Sequence, residues 1–261
     1  SDLTVFYPGD DNQYTTIEVI NKTDPQRLRY VEKPINHRFY ESKNDLIQQM
    51  IEFTALDTGL IYSGELDGVD RECPVFHCIS GFENPKLKPY LSVFNQGAIK
   101  DRTLIIDTLN HDKNPERRAA AAFLVGHFSD PNEIVSILTP HVSDSNAGVR
   151  NNVLRVIGTT LMKANITELD SKPFLNVLDS PHETDRNKAL LVLASLAKSM
   201  EGKKAILEHG GTTLVNLLRL KQPNNHDIAY LILKRISGKN FGTTNFSAWE
   251  SWIASAKSQL V

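Results

Sequence analysis

At 261 residues, 40% of them hydrophobic, the chain is long enough to bury one large core or two modest ones, and its formal charge of −2 singles out no nucleic-acid or membrane partner. The longest nearly unbroken apolar run, ALLVLASLA at 189–197, is about half of what a bilayer-spanning helix needs, so no membrane segment is expected. Residues 1–20 lack a basic stretch followed by an apolar block, and the compartment is left open between the cytoplasm, slightly favoured, and the periplasm or exterior.

In chain order, LTVFY and YTTIEVI alternate as two short strands around a PGDDNQ turn. NDLIQQMIEFTAL (44–56) has the spacing of an amphipathic helix. Pro25, Pro34, Pro85 and Pro89 interrupt the rest, so residues 1–70 read as an N-terminal cap. CPVFHCISGF and KLKPYLSVFNQGAI then read as a degenerate helical pair leading into the C-terminal two thirds of the chain.

The only two cysteines are Cys73 and Cys78. If Pro74 opens a helix, their Cα atoms lie roughly 8 Å apart, too far for a disulfide. Reduced, buried thiols are the first expectation. A disulfide on a non-helical loop, or a metal site of both thiols with His77, are the alternatives, and the second lacks a fourth ligand at recognisable spacing.

From about residue 101 the chain repeats itself. Asp112 falls on Asp144, Arg118 on Arg150 and Gly126 on Gly158; Arg186 then falls on Arg150, and Ala229 on Ala189, at a period of about 32–40 residues. Each of the four units has a shorter apolar segment, RTLIIDTLN, NEIVSILTPHV, KPFLNVLDS or TTLVNLLRL, before the aligned helix. The turns between them, HDKNP, SDSNA, SPHET and KQPNN, are rich in helix-starting residues. A helix–turn–helix unit of this size cannot bury both apolar faces alone, so neighbours must stack.

The loop Asp and the Arg at the start of the second helix, here Asp112 with Arg118 and Asp144 with Arg150, make the chain resemble HEAT-repeat proteins over 101–237. The third unit has Ser180 at the Asp position, and the fourth departs further. KKAILEHGGTTLVNLLRL (203–220) is similar to an armadillo repeat, with Gly210 and Gly211 opening a second helix. SGKNFGTTNFSAWESWI resembles a C-terminal signature found after the repeats of many bacterial HEAT-type proteins. The resemblance implies an all-α, right-handed α-solenoid of HEAT/armadillo-like helix pairs at 71–237. A small mixed cap with a short β-hairpin precedes it, and a capping segment at 238–261 closes it. Trp249 and Trp252 would share a face over the last repeat, with Phe241 and Phe246 pinning the loop.

No nucleophile elbow, phosphate loop, dinucleotide fingerprint or zinc-protease motif occurs, so no catalytic residue, metal or cofactor is expected. HGG at 209–211 lacks the elbow that would make it a lipase oxyanion loop. The N-x-S/T triplets at Asn21, Asn165 and Asn245 fit the chance rate for an Asn-rich chain.

On the helix predicted from Ala147, the apolar stripe is Val149, Val153, Val156, Ile157 and Leu161, while Asn152, Arg155 and Thr159 share the same spacing on another face. The HEAT resemblance implies that second helices line a concave groove. Carried through the repeats, the row adds Phe123 and His127, then Lys188 and Leu191, then Arg235. Arg155 would pair ions, Asn152 would bond a backbone, and Phe123 and Leu191 would anchor apolar groups. The plainer alternative is that neighbouring repeats cover the apolar members and water solvates the charged ones. The first functional reading is a non-enzymatic scaffold or adaptor that binds an acidic or amphipathic protein segment. A nucleic-acid-binding protein similar to HEAT-like DNA glycosylases, or an accessory lyase, are the alternatives. Oligomeric state is not set by these residues.

Overall fold

The computed structural model of the chain describes residues 2–6, 14–18, 45–66 and 72–259, the first two segments as backbone only. Strands β1 (Asp2–Phe6) and β2 (Tyr14–Glu18) pair antiparallel, with Leu3 opposite Ile17 and Val5 opposite Thr15. The Asn21 triplet and the Pro25 and Pro34 breaks lie outside the described residues.

All other described elements are helical. They are α1 (Leu46–Tyr62), α2 (Lys88–Lys100), α3 (Arg102–His111), α4 (Pro115–Val125), α5 (Pro131–Leu138), a 3-10 turn (Thr139–His141), α6 (Ala147–Ala164), α7 (Lys172–Val177), α8 (Glu183–Leu196), α9 (Met200–Leu218), α10 (Pro223–Ser237) and α11 (Phe246–Ser258). They belong to two compact units, one spanning Glu32–Ala164 and the other Ser1–Val31 with Asn165–Val261.

Helix starts obey local chemistry. Asp45, Asn114, Asp130, Ser199 and Asn245 each accept a hydrogen bond from a first-turn backbone N–H, and Pro115 and Pro131 occupy positions where a missing N–H costs nothing. Gly238 closes α10 in the left-handed conformation, φ 67°, which L side chains adopt at a cost.

In the first unit, α3–α4 and α5–α6 are successive pairs, and α4 packs against both α1 and α6. In the second, α7 packs on α8, α9 on α10, α8 on α10, and α11 on α9. Stacking through the second member of each pair is the armadillo- and HEAT-like arrangement that the repeats predict. The reason is burial: Ile105, Leu124, Ile134, Val153, Leu193 and Leu233 are each fully buried at pair interfaces that a lone pair would leave wet.

A recurring turn joins the pairs. Arg118, Arg150 and Arg186 each donate Nη1 to the carbonyl six residues back, on Asp112, Asp144 and Ser180. The side chain of that same loop residue caps the turn two residues on, accepting from the N–H of Asn114, Asn146 or His182. The Arg then reaches the next loop: Arg118 makes a two-pronged bond to Asp144 at 3.0 and 2.9 Å, and Arg186 reaches Gln222 Oε1 at 3.4 Å. Ser180 and Gln222 therefore stand where the first unit has carboxylates.

Three expectations are corrected or refined. Residues 72–87 form no helical pair with α2: Pro74 opens no helix, the Cα atoms of Cys73 and Cys78 come within 5.7 Å, and the two sulfurs are bonded to each other. Neither is then a reduced thiol or a thiolate ligand. Gly210 and Gly211 do not open a helix; they sit inside the continuous α9. A Cβ on Gly210 would lie 2.6 Å from Leu175 Cδ2, and one on Gly211 would lie 3.1 Å from Ile253 Cγ2. Close approach by α7 and α11, not a break in the backbone, is what the two glycines allow. At the C-terminus Trp249 is fully buried, with Nε1 donating to Gly242 O and its ring against Phe241, Tyr230 and Trp252. Trp252 is only half-buried, and Phe246 lies under the Arg219 guanidinium.

Candidate functional site

In the first unit α1, α4 and α6 enclose an open trough of about 480 Å³. Its α1 wall is Ile51, Thr54, Ala55, Thr58, Gly59 and Tyr62, a spacing of three and four that puts one helix face toward it. Ala119, Ala120 and Phe123 of α4 make the floor, with Glu116 at the start of that helix and Asn152 from α6. Tyr62 is 87% exposed at the mouth.

Phe123 is buried because the irregular segment after Cys73 lies over it. The His77 ring stacks on Phe123 at 5.1 Å between centroids, and His77 Nδ1 is 3.2 Å from Thr159 Oγ1. The Arg155 guanidinium sits 5.8 Å from the same Phe123 ring. Asp57 of α1 is buried nearby and accepts a hydrogen bond from Ser80 Oγ at 3.0 Å. Burial raises its pKa above the usual carboxylate value, and the Ser80 bond and the Arg155 charge only partly offset that. Asp57 Oδ1 has no hydrogen-bond partner among the described residues.

Phe123, Asn152, Arg155 and Thr159 are thus brought together, but the polar members are already engaged. Asn152 Nδ2 donates to Ala119 O of α4, and Thr159 Oγ1 bonds the carbonyls of Arg155 and Val156. His127 lies elsewhere, lining a second cavity of about 520 Å³ with Phe76, Ile99, Arg102 and Phe128. Its Nδ1–H donates to Asn95 Oδ1 at 2.9 Å, its ring meets Phe94 and Phe82, and burial pushes its pKa down to about 4.

Lys188, Leu191 and Arg235 belong to the other unit. Lys188 and Leu191 are half-buried on α8, while Arg235 of α10 donates to Ala194 O of α8. Asn187 repeats the device, donating Nδ2 to Asn224 O. In both units, polar side chains of second helices brace the neighbouring second helix through a carbonyl.

The residues that sequence reasoning missed are those of α1, above all Tyr62 and Ile51, together with His77. The α1 pattern continues past residue 56 at helical spacing, Ile51, Ala55, Thr58 and Tyr62, and that was the available signal. No such signal marks His77, whose place depends on how the cysteines close the segment. Among the described residues no three of His, Cys, Asp and Glu are placed to hold a metal ion, and no helix is long and apolar enough to cross a membrane.

No family model matches the chain, and no curated protein matches it. Among solved structures, computationally designed armadillo repeat proteins for modular peptide recognition are similar to it at 16% identity, over 83% of this chain and 91% of theirs, with a TM-score of 0.46.

Proposed function

We propose that the chain is a non-enzymatic scaffold whose trough between α1, α4 and α6 holds an amphipathic segment of a partner protein. The observation that carries this reading is the trough itself: an open volume of about 480 Å³ walled by Ile51, Ala55, Gly59, Ala119, Ala120 and Phe123, with a largely exposed Tyr62 at its mouth. An apolar trough with an exposed aromatic edge suits a side-chain anchor of a docked helix or strand, because burying that surface is favourable and the aromatic loses little freedom.

Charge at the two ends narrows the occupant. Glu116 stands at the first turn of α4, while Arg155 lies beside Phe123 at its last turn. A segment with apolar anchors between a cationic end and an acidic end complements both, which favours an amphipathic occupant over a uniformly acidic one. Arg155 is the proposed ion-pairing group and Phe123 the apolar floor. Lys188, Leu191 and Arg235 are proposed contacts on the other unit.

The test is affinity selection from a random peptide library on the immobilised protein, then fluorescence anisotropy with the selected peptides. Ala55→Trp fills the trough from an exposed helix position and should abolish binding while leaving the circular dichroism spectrum intact. Arg155→Ala should weaken it by about 1.5 to 3 kcal/mol if the Arg bonds an acidic group away from bulk water. Peptides that bind Ala55→Trp as tightly as wild type would sink the reading. Retention of nucleic acid alone, lost steeply as salt rises, would favour the nucleic-acid reading instead.

A further inference from the structure

We infer that the Cys73–Cys78 disulfide is a redox latch on the trough: while it is closed, His77 covers Phe123, and its reduction uncovers that end. The inference rests on the trough being the binding site. Residues 72–87 contain no helix or strand, so no backbone ladder holds them in place. A ring of six residues, Cys73 to Cys78, is closed by the sulfur bond, and His77 is its last member before Cys78.

Besides the His77 stack on Phe123, polar contacts tie the ring to its surroundings. Phe76 N–H donates to Gly126 O at 3.1 Å, Lys163 Nζ donates to the carbonyls of Cys73 and Val75, and His77 contacts Thr159 Oγ1. Just beyond the ring, Ser80 bonds Asp57. These are polar contacts that water can replace, whereas the covalent ring confines the segment whatever the solvent. His77 is itself only 4% exposed, and so is Phe123 beneath it. Moving the one uncovers the other.

Both cysteines are half-buried, which leaves the bond within reach of a reductant. The reductant is a dithiol. Its thiolate attacks one Sγ, the S–S bond breaks to give a mixed disulfide and one cysteine thiolate, and the second thiolate of the dithiol attacks the dithiol sulfur of the mixed disulfide and expels the other cysteine as a thiolate. The dithiol leaves oxidised as an internal disulfide, and Cys73 and Cys78 are left as two thiols carrying the two protons the dithiol gave up. The ring opens, His77 leaves the face of Phe123, and the trough gains an apolar end beside Arg155.

Three readouts on the full chain test this: exchange of the Phe76 amide, anilinonaphthalene sulfonate fluorescence as the probe of apolar surface, and far-ultraviolet circular dichroism. Dithiothreitol should speed Phe76 exchange roughly tenfold or more, leave helicity unchanged, and raise probe fluorescence about twofold. His77→Ala should raise the fluorescence to a similar level in the oxidised protein, which keeps the test independent of a cysteine variant that folds badly. Ala55→Trp should remove the rise. Unchanged Phe76 exchange after verified reduction overturns the latch, as does a fluorescence rise that persists in Ala55→Trp, or a loss of helicity on reduction. If Ala55→Trp blocks the selected peptides while reduction changes neither exchange nor fluorescence, the trough stands and the latch falls. If Ala55→Trp leaves peptide binding intact, the binding reading fails first.

Discussion

In residues 45–164 the turns between paired helices are closed by carboxylates, and in residues 165–259 the same places are held by Ser180 and Gln222. Arg118 and Asp144 are both almost fully buried and share two hydrogen bonds, and Arg117 joins Asp112 to Asp45 at the start of α1. Burial works against ionisation of Asp45, but the hydrogen bonds from Arg117 and from Gln48 N–H outweigh it and hold its pKa below the usual value. What stays constant between the units is the bond from the Arg to the carbonyl six residues back. That bond sets the turn, because a buried guanidinium must spend its donors on whatever the loop presents. The group on the next loop can change its charge without changing the geometry. The units should therefore differ in how a broken turn is felt, not in how the turn is built.

The largest expected contrast breaks one turn in each unit. Asp144→Ala strands the Arg118 cation in the core and should cost about 3 to 5 kcal/mol, whereas Gln222→Ala removes an uncharged acceptor that takes one long bond from Arg186 and a second from Asn225, and should cost about 1 to 2 kcal/mol. Urea titrations of the two variants check this; equal losses would mean that the carboxylate gives the first unit nothing the amide does not give the second.

The two tryptophans of the second unit sharpen the comparison within a single helix. Trp249→Ala should cost about 3 to 5 kcal/mol because it removes a fully buried ring and a hydrogen bond, and Trp252→Ala about 1 to 2 kcal/mol because its ring is already half in water. Thermal midpoints in the reverse order would place the last repeat's core on Trp252.

The smallest effect separates the units by acid. His127 is held neutral in the folded first unit, its pKa lowered by burial from 6.5 to about 4, and burial also lowers His141, with Asp144 opposing and Arg118 and His111 assisting. Between pH 6.5 and about 4 the unfolded chain binds the proton that folded His127 refuses. This contribution is fully present above 6.5 and is lost as the pH falls toward 4. With the ring partly exposed, the loss is on the order of 1 to 2 kcal/mol. Amide exchange at pH 7 and pH 4.5 should show protection falling around Phe94 and Phe123 in wild type and less so in His127→Phe. No difference between the two would rule out His127 as the titrating group.

The architecture was legible in the residues because it depends on local signals that recur. Asp and Asn in the turns, Pro at the first helical position and apolar residues at helical spacing marked the bounds of α3 to α6 and of α8 and α10 to within a few residues, and the repeat of Arg118 at Arg150 and Arg186 marked the turns. Trp249 as a buried cap was legible for the same reason, since its face is set by one helix. What tertiary structure alone decided were matters of close approach. Gly210 and Gly211 have the composition of a break, yet Leu175 and Ile253 need the space, so the helix continues through them. Cys73 and Cys78 bond because their segment is not helical, and their spacing along the chain carries no such information. The candidate site divides along the same line. The row Asn152, Arg155 and Thr159 was readable from helical spacing, but that Asn152 would bond the carbonyl of Ala119, and that His77 would come to rest on Phe123 from forty-six positions away, is decided only by how separate elements pack against each other. Periodicity determines which face of a helix is which; only the neighbours determine what that face meets.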